Sequence, residues 1–480
     1  MQTSLEQFCH SILVKKMSLR KALANLVMAA SCGSDLNSIT SLSLSPCYHY
    51  QYSSIGKSIA MISKNLSGFD KEVDKLLSAF FPTNDSADFW LLNTDSSPLV
   101  RTHASCLENR RYVYSASHKI GNNRPIAIGH EFSTIGLSRS TNHWDSGSPP
   151  WNLPLSMELV PFDQNRNTFT ANQVNKLLDS TDYSLGKSLT VNTLDSNYSS
   201  PEYVAQTYHQ EHLVNIIRLS SNRNVWQCLT AEQAKVHRDT KQDNRGASKV
   251  YGNGYKLNQL LDWKLPCDEQ TAFGIKLKNG KKCKVVVQSW SSMMIRSKRG
   301  HNMKDKPFRL CSIQLQDAKT KKPLFKKPLL LAIWGKREKE LSLEQIFWAY
   351  RARFDIEHFF RFGKQKLLLD SFQTPDESHQ KVWLKIVQIA YWMLWLAKSQ
   401  AVPKSKKWQQ YAYKNTAAYE SKIPSPSQVQ QQMELIILAF DQEPFLPKPR
   451  KKGKGRKKGE IQVKRTKHAV RKKKKKPKPA

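Results

Sequence analysis

Acidic residues are scarce in this chain. Its 480 residues carry 39 Asp and Glu against 76 Lys and Arg, a formal net charge of +37. A protein so short of negative charge is expected to meet a polyanion, with nucleic acid the first candidate and an anionic membrane the second. Long apolar runs are missing too. The best candidates are Pro328–Trp334 and Ile386–Ala397, the second interrupted by Gln388. Neither approaches the roughly 18 consecutive apolar residues of a membrane span, so a membrane role lacks support. The first residues, Met1 to Glu6, put no basic segment before an apolar one, unlike a secretory signal. The eight cysteines (Cys9, Cys32, Cys47, Cys106, Cys228, Cys267, Cys283 and Cys311) include no CxxC pair. That argues against a zinc ribbon or a disulfide framework and predicts reduced thiols in a cytoplasmic protein. His103, His118, His130 and His143 lack ligand spacing and read as structural.

The positive charge is unevenly placed. Residues 447–480 hold 18 Lys or Arg and one acid, Glu460, while the first 446 residues still carry +20. The tail is low-complexity and is expected to be disordered without a partner. Residues 1–84 read as helical, with apolar periodicity in Leu5–Val14, Leu19–Ala30, Ile55–Ile62 and Val73–Phe81. Such a basic bundle is either a DNA-binding unit or a cap on the next domain. Residues 85–225 read as mixed α/β. Phe89–Thr94 is a strand leading to Asp95, and Ser188–Leu194 a strand leading to Asp195. Ser200-Pro201 opens a helix, and Leu213–Leu219 is a further strand. Residues 226–337 read as a β-rich insertion, with Asn279-Gly280 as a hairpin signal. Residues 338–400 resume the α/β unit, 401–446 read as helical, and 447–480 form the tail.

The segment from Tyr350 to Lys364 is the most informative. At about 100° per residue, Tyr350, Arg353, Glu357, Arg361 and Lys364 share one helix face. Trp348, Ala352, Ile356, Phe359, Gly363 and Leu367 lie opposite, on the expected core side. One carboxylate among three cations and a tyrosine, on a face turned from the core, is unusual for a merely solvated helix surface.

The spacing Tyr350, Arg353, Glu357, Lys364 resembles the YREK signature of IS4-type DDE transposases. Thr193-Leu194-Asp195-Ser196-Asn197-Tyr198 resembles that family's second aspartate motif, and Asp95 stands where its first aspartate is needed. Asp85 and Asp88 are the rivals of Asp95, but both precede the apolar run. The resemblance covers about residues 85–398. It implies an RNase H-like catalytic core interrupted by a β-rich insertion, with Asp95, Asp195 and Glu357 holding two Mg²⁺ ions, Mn²⁺ being able to substitute. Hard carboxylate oxygens suit such ions, and two ions about 4 Å apart can activate an attacking hydroxyl and stabilise a leaving oxygen. The resemblance further implies that Tyr350, Arg353 and Lys364 hold the DNA end, with Arg361 on the same face. A tryptophan of the insertion, Trp290 (or Trp263 or Trp334), would stack on a flipped base. Lys278, Lys281, Lys282, Lys284, Arg296, Lys298 and Arg299 fit a basic DNA channel. The implied partners are double-stranded DNA, as element ends and target, and a second copy of the chain. The implied activity is cut-and-paste transposition. Alternatives are a nuclease that does not join and a catalytically retired DNA-binding protein.

Overall fold

The computed structural model describes residues 3–11, 21–33, 36–83, 88–115, 125–138, 149–229, 232–233, 250–277, 281–402, 423–439, 455, 457, 459–461 and 464–471. Twelve strands among these residues form one mixed sheet. Its first half uses β1 (Trp90–Val100), β2 (Arg111–Tyr114), β3 (Ile126–Leu137), β4 (Leu153–Leu159), β5 (Thr190–Leu194) and β6 (Leu213–Arg218). β3 lies antiparallel to β1 and carries β4 on its other side. β5 is parallel to β1, and β6 is parallel to β5. The resulting order β4-β3-β1-β5-β6 is an RNase H-like arrangement, and the fold is mixed α/β.

The uninterrupted apolar run Phe89-Trp90-Leu91-Leu92 follows from this placement. This central strand, antiparallel to β3 on one side and parallel to β5 on the other, is covered on both faces here, so both parities of residue are apolar. Phe89 and Leu91 join a core with Val191, Val214, Ile216, Phe347 and Tyr350. Trp90 and Leu92 join the opposite core with Leu194, Leu213 and Ile217. The strand also runs further than Asp95, contrary to the sequence expectation that this residue ends it. Its second half continues to pair with β3, from Asp95 opposite Thr134 to Val100 opposite Gly129, after β5 has stopped at Leu194. Pro98 falls in the half that β5 does not reach, where its missing N–H is tolerated.

The strands β7 (Asn224–Cys228), β8 (Tyr251–Lys256), β9 (Glu269–Lys276), β10 (Lys282–Met294), β11 (Phe308–Asp317) and β12 (Leu329–Trp334) extend the same sheet. β12 pairs antiparallel with β6, so the edge that β6 would expose is covered. β9 and β10 pair from Lys276 opposite Lys282 onward; the Asn279-Gly280 turn and Lys278 lie outside the described residues.

Helices α1 (Ser4–His10), α2 (Lys21–Cys32), α3 (Ile39–Leu42), α4 (Tyr52–Ile62) and α5 (Leu66–Ala79) precede the sheet. α6 (Arg166–Asp179) and α7 (Pro201–Thr207) lie within its first half; α8 (Leu343–Ala352), α9 (Phe354–Lys366), α10 (Glu377–Ala397) and α11 (Pro426–Leu438) follow it. α10 is buried along most of its length and packs on β4, α2 and α11. Its Gln388 amide donates to the carbonyls of Pro154 and Leu155 at 3.1 and 2.9 Å. Residues of α1, α2, α4 and α5 share one continuous core with it, the packing a helical cap would have.

The tail departs from the expectation of disorder over residues 464–471. The His468 amide donates to the Ser105 carbonyl at 2.9 Å, and the Arg471 amide to the Arg110 carbonyl at 2.7 Å. Arg110 in turn donates from its guanidinium to the His468 carbonyl at 3.2 Å. This main-chain pairing sets Arg471 beside Arg111 as a parallel bridge on the flank of β2. The rest of the tail, apart from residues 455, 457 and 459–461, lies outside the described residues.

Candidate active site

Strand register brings the two aspartates together. Thr94 is opposite Leu194 in the parallel pair of β1 and β5, so the next residues, Asp95 and Asp195, fall side by side. Asp195 leaves its strand as the cap of a short 3-10 turn, Ser196–Tyr198. Its carboxylate accepts from the Asn197 amide at 2.9 Å and from the Asn197 side chain at 2.7 Å. Asp95 accepts from the Ser96 amide at 2.8 Å.

The third acid arrives through a break in what the sequence presented as one helix. α8 starts at a reciprocal cap between Ser342 and Gln345 and stops at Ala352; α9 begins at Phe354. The Asn93 side chain, two residues before Asp95, donates to the Ala352 carbonyl at 2.9 Å. Thr193, two residues before Asp195, donates to Asn93 Oδ1 at 2.6 Å. One buried chain of hydrogen bonds therefore ties β5, β1 and the helix joint together. Asn93→Ala removes the donor to the buried Ala352 carbonyl and leaves the Thr193 hydroxyl with a longer contact, 3.4 Å to the Leu92 carbonyl, and should cost about 1–3 kcal/mol of stability. We expect chemical denaturation to show this loss, since the helix joint that carries Arg353 and Glu357 loses its anchor.

At the joint, Arg353 reaches both acids. It donates from Nη1 to Asp95 Oδ2 at 3.4 Å and from Nη2 to Glu357 Oε1 at 2.7 Å. Arg353 is buried, with its guanidinium 4.9 Å from the centre of the Phe354 ring. Its Nε has no hydrogen-bond partner among the described residues. Burial, together with the Asp195 charge, pushes the Asp95 carboxyl up to about 7, against the opposing pull of Arg353.

This placement corrects the helical wheel. Tyr350 and Arg353 are 4% and 7% exposed, not turned from the core, because α8 lies on β5, β9 and β10. Burial raises the Tyr350 hydroxyl to about 12. Trp348, expected on the core side, is only half-buried, while Glu357 and Arg361 are exposed. Lys364 donates to the Pro98 carbonyl at 3.2 Å, and burial lowers its pKa from the ordinary lysine value.

Asp95 and Asp195 line one cleft of about 770 Å³ with residues that sequence reasoning missed. Glu131 accepts from Arg111 at 2.9 Å, from Arg166 at 2.8 Å and from Ser96 at 2.8 Å. The alternation of β3 puts Glu131 at this position, and nothing local in the sequence singles it out. The rival Asp88 accepts from Gln345 at 2.8 Å near the start of α8; Asp85 lies outside the described residues.

Of the three candidate tryptophans of the insertion, Trp290 and Trp334 are covered and Trp263 is half-buried. Trp290 is 5% exposed, meets Trp263 edge-on, and donates its indole N–H to the Leu265 carbonyl at 3.3 Å. Trp334 is fully buried against Phe308. As placed, neither presents a face to a base. Several basic residues of the insertion are also engaged. Lys281 pairs with Asp317 at 2.9 Å, Lys298 pairs with Glu202, and Arg296 stacks 4.6 Å from the Trp226 ring centre. His130 is held between Gln380 and the Glu108 carbonyl at 3.0 and 2.8 Å. His118 and His143 lie outside the described residues.

Compared with known families, residues 152–393 match the family described as the transposase DDE domain. The chain belongs to this family of DDE transposases. The matched region contains Asp195 and Glu357; Asp95 precedes it on the neighbouring strand. A search among curated proteins found no match. Membership makes DNA the implied partner of this transposase domain, and among the described residues no helix is long and apolar enough to cross a membrane.

The residues present can be tested for fit to a divalent metal. Asp95 and Asp195 offer hard carboxylate oxygens side by side, at a point where burial penalises the Asp95 charge, and this donor chemistry suits such an ion. Glu357 is not converged with them. Among the described residues no group of three His, Cys, Asp or Glu side chains stands ready to hold a metal. The charge between Asp95 and Glu357 is instead compensated by Arg353.

Proposed function

We propose that this protein is an IS4-type cut-and-paste transposase that cleaves DNA at the ends of an insertion sequence and joins the freed ends to a target. The observation that carries this reading is the register of β1 and β5, which sets Asp95 beside Asp195, while Arg353 links Asp95 to Glu357. Family membership and the excess of positive charge support it.

Members of the family generally use divalent metals, and we assign Asp95 and Asp195, completed by Glu357, as the group that holds two Mg²⁺ or Mn²⁺ ions here. When bound, such ions supply activation of the attacking hydroxyl and stabilisation of the leaving oxygen. The protein's own contribution is positional. Asn93 holds the helix joint to β1. Arg353, once released by the acids, can fork onto a phosphate, and Lys364 adds a point charge. The centre of the Tyr350 ring lies 5.8 Å from the Arg353 guanidinium. A dimer on paired DNA ends completes the reading.

Incubating wild type and Glu357→Ala with the element's flanking DNA in Mg²⁺ tests it. We expect the wild type to cut and join, and Glu357→Ala to bind DNA with unchanged affinity but to lose cutting by roughly a thousandfold, the scale of several kcal/mol. Cut products that are never joined would select a nuclease. Binding without cutting in either Mg²⁺ or Mn²⁺ would sink the catalytic assignment.

A further inference from the structure

Two aromatic side chains stand exposed at the acid-lined cleft. Tyr112 is 51% and Tyr114 71% exposed, and both line the same cleft as Asp95 and Asp195. Register fixes which face of the sheet they occupy. Asp95 lies opposite Thr134 of β3, Tyr112 opposite Ile128 and Tyr114 opposite Ile126. Residues opposite one another share a face, and so do residues an even number apart along a strand. Asp95, Tyr112 and Tyr114 therefore project from one face, the face whose Asn93 contacts the joint of α8 and α9. Arg111 and Glu131 project from the other.

Along β3, Thr134 and Ile128 are about 20 Å apart and Thr134 and Ile126 about 26 Å, at roughly 3.3 Å per residue. Positive charge flanks this track. Lys364 sits at the Pro98 carbonyl, between Asp95 and the tyrosines along β1 and β3. Arg471, exposed and bonded through its main chain to Arg110, stands next to the start of β2. The strip of the shared face between Asp95 and the tyrosines is closed over by α9 and α10, with Phe132 packed on Phe360 and His130 bonded to Gln380, so the acids and the open rings meet through the cleft that both line. Acids, flanking cations and two open aromatic rings on one cleft match a nucleic-acid strand with unstacked bases. Phosphates meet the cations and bases meet the rings. Intact duplex offers only groove edges and backbone to such rings, so the occupant is an unpaired strand.

We propose that Tyr112 and Tyr114 form a stacking platform for unpaired nucleotides of the DNA strand that leads away from the candidate catalytic acids. This rests on the transposase reading above. The span corresponds to about six to eight stacked nucleotides at roughly 3.4 Å each.

The test uses full-length protein without divalent metal and a blunt 20-base-pair duplex. The same duplex carrying a 3′ or a 5′ tail of twelve thymidines is the second probe, and affinities come from fluorescence anisotropy at one salt concentration. We expect wild type to prefer one tailed duplex by about tenfold, a conservative return from stacking. Tyr112→Ala with Tyr114→Ala should abolish the preference while leaving blunt-duplex affinity within about twofold, and the corresponding Phe pair should keep it. Photocross-linking from 5-iodouracil placed along the tail should recover Tyr112 or Tyr114. A wild type with equal affinity for both probes, a retained preference in the Ala pair, or cross-links confined to other residues would overturn the platform. Wild-type protein that binds no duplex at all would overturn the transposase reading beneath it, so the two failures are distinguishable.

Discussion

Replacing Arg353 by alanine should destabilise the metal-free protein by about 3 kcal/mol, the cost of stripping one partner from a buried ion pair. Arg353 is the cation between Asp95 and Glu357. The Asp95 side chain is only 19% exposed, so water cannot take over the lost compensation in full. The cause can be separated from lost packing by a double-mutant cycle. Arg353→Ala should cost distinctly less in an Asp95→Asn background, where the charge left behind is gone. Denaturant unfolding of the four proteins measures the coupling. Equal costs in both backgrounds would mean that Arg353 contributes through its packing on Phe354 and Tyr350 instead. If Asp95 and Asp195 take up divalent ions as proposed, added Mg²⁺ should also recover part of the stability lost in Arg353→Ala.

Asp95→Asn is expected to act in opposite directions on activity and stability. Cleavage should fall by roughly a thousandfold, as for Glu357→Ala, because an amide is a poor substitute for a carboxylate that holds a hard cation. The metal-free protein should nevertheless become more stable at alkaline pH. Burial and the neighbouring Asp195 charge raise the folded-state pKa of Asp95 from 3.8 to about 7. The wild-type fold therefore binds more protons than the unfolded chain between those values, and its stability declines as pH rises through that window. Each tenfold displacement of the ionisation equilibrium is about 1.4 kcal/mol, so the full effect is on the order of a few kcal/mol. Melting temperatures of wild type and Asp95→Asn in a chelator should be close near pH 4. They should separate progressively up to about pH 7 and stay apart above it, with the variant higher. A wild type that stays the more stable at pH 8 would show that the Asp95 charge is better compensated than the surrounding residues indicate.

The elements that carry the site were readable to different depths. The run before Asp95 announces a buried strand, because a strand covered on both faces is apolar at successive positions. β5, before Asp195, instead buries Thr190, Asn192 and Thr193 among hydrogen-bond partners that no local pattern shows. The amphipathic pattern around residue 350 announces a helix. Its wheel failed at Tyr350 and Arg353 for a definite reason. A wheel assumes one straight cylinder with one buried side, whereas α8 ends at Ala352 and packs its last turn on the sheet. Trp290 reads as an available aromatic only while the sheet that buries it is unknown. The docking of residues 464–471 is likewise carried by main-chain pairing with Ser105 and Arg110, which leaves no trace in a lysine-rich composition.

Charge and periodicity, properties of the chain alone, pointed to a polyanionic partner and to the α/β character, and the resemblance in motif spacing singled out the three acidic residues worth testing. Tertiary structure alone decided that Thr94 lies opposite Leu194, that Asn93 holds the helix joint, that Arg353 stands between two acids, and that Glu131, Tyr112 and Tyr114 share their cleft. Each depends on which strands pair and in what register. Register is set by the burial of whole faces across distant segments, so it cannot be read from any one of them.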